Sequence, residues 1–372
     1  MKHNMELIDY LRGLSILAIT IIHVIAWKNP TISSEYAQWS ILFELRDVLQ
    51  LFVVTIVISS GFSLYLAHKE LSLSPKDLLY FYKKRFRRLL VPWWTFLTIF
   101  FSIHYIIKLI FGLELIELSR DYMWFSFLMV GGIGFGWLVL LMLTLALLFP
   151  FLHYLYTHFD KKTVFGGLII AYGLALALFE FEHIHFFELN LATVSLETAI
   201  VIAIPFILGW SIIYLVGFWL GEIYTSSEFM KKGLWMTVGF SGVFVFINAI
   251  YTILGFDKHL YLNKYPPAPE YLSFGLMVSF LLIMLFLSYK HFMHVYFRKF
   301  LHFFSSNSYW LFMWCALTLS LFDPWLSLFE FKHLTLKLII AIVLNTLGIS
   351  LLVLAQNKLI KIVHFNLKKE RR

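Results

Sequence analysis

Asp9, Arg12 and His23 are the first residues whose types and spacing could do chemistry, and all three lie in or at the edge of one long apolar run near the N-terminus. A charged side chain at the centre of a membrane helix costs about 2.5–3.5 kcal/mol on insertion scales, so each such residue raises the question of a site. If the run is helical, the 11 steps from Arg12 to His23 rotate about 1100°, roughly 20° past three full turns, and climb about 16 Å. Asp9, three residues before Arg12, falls on the same stripe. One helix face would then carry a carboxylate and a guanidinium in one half and an imidazole in the other, an anion anchor and a proton acceptor. A plainer account has Arg12 reaching back to the interface to pair with Asp9, with His23 a hydrogen-bonded interior histidine. Spacing alone leaves both open.

A second group is the run Lys83-Lys84-Arg85-Phe86-Arg87-Arg88-Leu89-Leu90-Val91-Pro92-Trp93-Trp94. It reads as an electrostatic anchor with an aromatic belt, or as a phosphate site, for which Arg supplies a planar fork of donors. Arg85 and Arg88, three apart, face the same way if the helix begins early.

The elements that must position these residues follow from composition. The chain has 372 residues, 60% hydrophobic and 14% charged, with a mean hydropathy of +0.80. Soluble domains average about 25% charged residues, so a soluble globule is excluded. Apolar runs of roughly 18 or more residues suit membrane helices. Ten such runs predict an all-α polytopic membrane protein, with spans near 7–27, 47–67, 89–111, 135–154, 164–181, 199–221, 233–255, 271–289, 303–322 and 334–355. With the N-terminus inside, 21 of the 30 Lys and Arg fall in inner segments and six in outer ones, which predicts both termini in the cytoplasm. The net charge of +8 is then topological, and no nucleic-acid partner is needed. The first run lacks a small-residue cleavage site and is expected to stay as the first helix. Residues 1–372 read as one transmembrane domain without an appended soluble one.

In that setting the residues resemble a family. Asp9-Tyr10-Leu11-Arg12-Gly13-Leu14 followed by His23 is similar to the opening of the membrane-bound acyltransferase 3 family, whose first helix carries an Arg and a His with ten residues between them. Ser60-Gly61-Phe62, the Arg85…Arg88…Pro92-Trp93 run, Gly136-Trp137-Leu138 with Pro150, and Ser308-Tyr309-Trp310-Leu311-Phe312 resemble its later landmarks, in the family's order. Two positions depart from it. Gly136 and Cys315 stand where many members have a histidine, so roles attached to those histidines do not carry over.

The resemblance implies transfer of an acyl group, commonly acetyl, from cytoplasmic acyl-CoA to a hydroxyl of a cell-surface glycan or a lipid-linked saccharide, in the cell membrane. It implies Arg12, Arg85 and Arg88 as ligands of the CoA donor, Asp9 orienting Arg12, and His23 as general base. A general base must be neutral, the form that burial in a helix bundle favours for imidazole. Because many relatives add an extracytoplasmic domain, this chain would acylate its acceptor directly or work with a separate partner. The rival readings are a transporter or flippase for a saccharide or lipid, a non-catalytic scaffold, and an inactive relative.

Other features carry less. Cys315 is the sole cysteine, which excludes an internal disulfide and argues against a thiolate metal site or redox pair. Glu182-His183-Ile184-His185 with Glu188 has metal-capable side chains at a common spacing and reads as a solvated loop, so no metal is expected. The glycines of Gly131-Gly132-Ile133-Gly134-Phe135-Gly136 lack the Lys-Ser/Thr of a nucleotide loop and read as a helix-breaking or re-entrant segment. His104 and Lys108 would line an acceptor path or snorkel. The basic tail 368–372 would touch anionic lipid.

Overall fold

The computed structural model describes residues 2–26, 40–181, 196–226, 228–255, 266–289, 293–328 and 334–370. They form thirteen helices and no strand: α1 Lys2–Ala26, α2 Ser40–Gln50, α3 Phe52–Ala67, α4 Pro75–Phe111, α5 Arg120–Leu128, α6 Gly136–His158, α7 Lys161–Phe181, α8 Leu196–Ile223, α9 Phe229–Leu254, α10 Pro269–Tyr289, α11 Val295–Ser306, α12 Ser308–Leu328 and α13 Leu334–Glu370. Among the described residues nine helices are long and apolar enough to cross a membrane, as an all-α polytopic membrane protein requires.

The remaining predicted span, 303–322, needs correction. The chain breaks at Asn307, which separates amphipathic α11 from α12, and the apolar described stretch begins at Ser308. The break follows from Ser305-Ser306-Asn307-Ser308, whose short polar side chains compete for backbone groups. Ser306 Oγ and Asn307 Nδ2 both donate to the Phe303 carbonyl, at 3.2 and 2.9 Å.

α4 starts well before its predicted span. Ser74 caps it by accepting from the Asp77 amide at 3.2 Å, Pro75 follows at the first helical position, and Gly112 ends it at φ +67°, each residue suited to its place. Its 37 residues extend about 55 Å, so the half carrying Lys83–Arg88 overhangs a hydrocarbon core of about 30 Å. The early start is the condition under which Arg85 and Arg88 share a face.

α1 runs through the middle of the bundle, packed against α2, α3, α10, α11, α12 and α13. Small residues let backbones meet. A Cβ on Gly61 of α3 would lie 2.2 Å from the Tyr214 carbonyl oxygen of α8, and one on Gly217 of α8 would lie 2.3 Å from that of Ile58. Side-chain-free contact of this kind is how membrane helices gain close packing where apolar burial gives no driving force. Gly13 does the same between α1 and α11, where a Cβ would lie 2.2 Å from the Leu301 oxygen. At the periphery, α9 and much of α7 expose Leu174, Val245 and Phe246, surfaces suited to lipid.

Candidate active site

A cavity of about 280 Å³ opens among α1, α3, α4, α6, α8 and α12. Arg12, Arg85 and Arg88 all line it, together with the hydroxyl residues Ser60, Ser63, Tyr214, Ser308 and Tyr309, and among the described residues no carboxylate does. The rest of the wall is aliphatic except for Phe312.

Each guanidinium is placed differently. Arg12 Nη2 donates to Ser63 Oγ at 2.8 Å, and that hydroxyl in turn donates to the Ser59 carbonyl at 2.8 Å. Arg85 Nη2 donates to His68 Nε2 at 2.8 Å, while its guanidinium lies 5.3 Å from the centre of the Phe81 ring. His68 caps α3 just beyond its membrane span. Burial, then the charges of Arg85, Lys84 and His153, push its pKa down to about 4, so at neutral pH it has the lone pair that Arg85 needs. Arg88 is exposed to the cavity, near enough to Arg12 and Arg85 for its charge to act on both. Three like charges around a space that no described carboxylate lines make a positive local field, and Arg forks with hydroxyl donors suit phosphate oxygens.

Pro92 and Tyr309 fix the α4 wall. Pro92 has no N–H to offer the Arg88 carbonyl one turn earlier, and Tyr309 of α12 donates to the adjacent Leu89 carbonyl at 2.6 Å. Asp9, expected beside Arg12, is engaged elsewhere. Its Oδ1 accepts from Ser305 Oγ at 3.0 Å and its Oδ2 lies 3.4 Å from His302 Nδ1. Its charge reaches Arg12 through space, with no ion pair between them among the described residues.

His23 lies beyond the cavity wall. Its Nδ1 is 2.7 Å from the Ile19 carbonyl oxygen; since that oxygen can only accept, Nδ1 carries the proton, and Nε2 is the basic nitrogen of the neutral ring. The ring packs on Phe135 with centroids 4.2 Å apart and meets Phe312 edge-on at 5.8 Å and 81°. Phe135 and Phe312 are themselves 5.4 Å apart and each 2% exposed. Arg12 and the imidazole are thus on one helix, and Phe312, which lines the cavity, packs with Phe135 on the imidazole as an aromatic partition.

The glycine stretch supplies the Phe135 half of that partition. Between α5 and α6 the chain turns through Gly132 at φ +64°, and Ser126 Oγ accepts from the Ile133 amide at 2.9 Å. Trp93 Nε1 donates to the Ser126 carbonyl at 3.2 Å. The tight turn delivers Phe135 to His23.

Neither departure from the family pattern lines the cavity. Gly136 faces Met129, and Cys315 is buried on α12, its Sγ 3.5 Å from Asn345 Nδ2. His104 is buried, hydrogen-bonded through Nδ1 to the Phe100 carbonyl at 2.8 Å, and Lys108 pairs with Glu114 at 2.8 Å; neither lines the cavity. No group of three metal-capable residues gathers among the described residues, and Glu182, His183, His185 and Glu188 lie outside them. The sequence did not point to His68, Ser63 or Tyr214. Ser60 and Ser63 share a helix face by their spacing of three, a readable signal, whereas Tyr214 has only its place one turn before Gly217.

Comparison with known families matches residues 6–354 to a family model described as an acyltransferase domain. Searches of curated proteins and of solved structures found no match.

Proposed function

The chain belongs to the acyltransferase 3 family and is a membrane acyltransferase, and on that footing we propose that it moves an acyl group, acetyl in the first instance, from cytoplasmic acyl-CoA to a hydroxyl of a cell-surface glycan or lipid-linked saccharide. The observation that carries the donor half is the cavity with three arginines and, among the described residues, no carboxylate, since CoA is a polyanion. Arg85 and Arg88 take its phosphates, and Arg12, deeper along α1, faces the thioester end. The pantetheine arm then points along the first helix towards His23.

In the transfer step the acceptor hydroxyl gives its proton to His23 Nε2 as its oxygen attacks the thioester carbon. The C–O bond forms, the C–S bond breaks, and the CoA sulfur leaves as a thiolate that recovers the proton from the imidazolium. The hydrogen bond from Nδ1 to Ile19 supports the base reading because it leaves the lone pair on Nε2. The arginines line the cavity and His23 packs on the outer side of the Phe312 ring, which suits a donor and an acceptor that arrive from opposite faces of a membrane and meet at the edge of that ring.

The test is acetyl-CoA binding to the purified protein in detergent, with Arg85→Ala/Arg88→Ala as comparison. Saturable binding to wild type that the double variant loses is expected. A folded wild type that does not bind acetyl-CoA rejects the donor assignment.

A further inference from the structure

We propose that Phe312 is the residue that limits the length of the acyl group this enzyme accepts, by closing the far end of the donor cavity with its ring. The inference rests on the donor reading above and adds the specificity of that site.

The cavity is polarised. Arg85 and Arg88 come from the overhanging half of α4, and Arg12 lies one turn before Ile16 on α1. Tyr309 donates to the Leu89 carbonyl beside Arg88, and Phe312 lies one turn farther along α12, on a wall shared with Ile56, Leu138 and Val139. A donor whose phosphates sit on the arginines therefore leads with its acyl end into the apolar part. There it meets Phe312, which lines the cavity on one side and touches the His23 ring edge-on at 5.8 Å on the other. The Phe312 ring is thus shared by the cavity and the imidazole.

That side chain is held. It is 2% exposed, backed by Phe135 at 5.4 Å, and Phe135 is in turn fixed by its 4.2 Å contact with His23. A ring packed at interior density cannot move aside without a cost from its neighbours. An acetyl group adds a single methyl beyond the carbonyl and can bring the carbonyl to the edge of the ring. Each further methylene needs space that the phenyl group fills. Hydrophobic pockets discriminate by about tenfold or more for one methylene, and a wall that excludes the group outright is the stronger form of the same effect.

The experiment is competition of free CoA, acetyl-CoA, butyryl-CoA and hexanoyl-CoA against labelled acetyl-CoA on the full chain in detergent, for wild type, Phe312→Leu and Phe312→Ala. For wild type, free CoA and acetyl-CoA should compete alike, and butyryl-CoA and hexanoyl-CoA more weakly by at least about tenfold. Phe312→Leu should recover butyryl-CoA and Phe312→Ala both longer donors, with free CoA unchanged. Wild type that takes hexanoyl-CoA as tightly as acetyl-CoA overturns the proposal with no variant needed. So does a variant that binds free CoA normally and keeps the wild-type order of chain lengths. Absence of CoA binding to wild type is a different failure, since it removes the donor reading and the proposal with it.

Discussion

His23 and Arg88 stand at opposite ends of the site and should fail differently when removed. His23→Ala deletes the group assigned to proton transfer, a role worth about 10²–10⁴ in rate, while the charged end of the cavity keeps its donors. Transfer should stop and CoA binding should survive, as single-turnover rates beside equilibrium binding would show. Arg88→Ala should instead weaken CoA binding most, because Arg88 has no hydrogen bond to another side chain among the described residues and is available to a ligand. The opposite pattern would sink the assignment of roles. His68 gives a pH dependence with a defined sign. An unfolded histidine takes its proton near 6.5, but the folded one resists until about 4. Between those values the unfolded chain holds more protons, so acidification favours unfolding. The contribution of His68 to stability is present above pH 6.5 and is lost as pH falls towards 4. Thermal melting followed from pH 7.5 to 4.5 should therefore decline less steeply in His68→Gln, whose amide oxygen still accepts from Arg85. At this scale the sequence revealed charge and spacing well. Arg12, Arg85 and Arg88 do share a cavity, because intramembrane and juxtamembrane charges are few. It did not reveal Asp9 turning to Ser305 and His302, or His68 accepting from Arg85, because those partners lie 296 and 17 residues away along the chain.

Helices in this bundle are located by where side chains are missing. The α3–α8 crossing brings Gly61 and Gly217 against backbone atoms of the opposite helix, and backbone cannot rotate away as a flexible side chain can. Gly217→Leu should destabilise the fold by about 3 kcal/mol or more through overpacking, seen as a large drop in melting temperature in detergent. Gly242→Ala on α9 is the comparison, since a Cβ there meets nothing within 4 Å, and it should melt as wild type. A melting temperature unchanged by Gly217→Leu would show that the crossing is not a fixed contact. Because Tyr214 is the residue that faces Gly61, the same crossing also sets one wall of the cavity. Most elements were legible from apolar run length alone, which is the strongest signal a sequence carries. The break at Asn307 was not, because Phe303 and Phe304 extend the apolar pattern across α11 and only hydrogen bonding by the short polar residues divides it. The early start of α4 was written in Ser74-Pro75, but hydropathy does not detect caps.

Across the whole molecule, charge and greasiness are sorted onto different surfaces. The overhanging half of α4 sets Lys83, Lys84, Arg85, Arg87 and Arg88 at one end of a chain whose flanks on α7 and α9 are apolar. Such an end attracts a polyanion from a distance, and the attraction is screened over about 10 Å at 0.1 M salt and about 3 Å at 1 M. Raising NaCl between those limits should weaken acetyl-CoA binding several-fold in wild type. The dependence should be shallower in Arg85→Ala/Arg88→Ala. Binding that ignores salt would locate the donor away from the basic end.

The ring pair of Phe135 and Phe312 has one more consequence, which concerns the membrane rather than the reaction. Arg12 and the His23 imidazole are polar groups on one helix, and the Phe135 and Phe312 rings packed on that imidazole carry no polar atom. A group-transfer enzyme built through a bilayer must not discharge the gradient across that bilayer between turnovers. Carbon placed there withholds the hydrogen-bonding groups along which water or protons would have to pass.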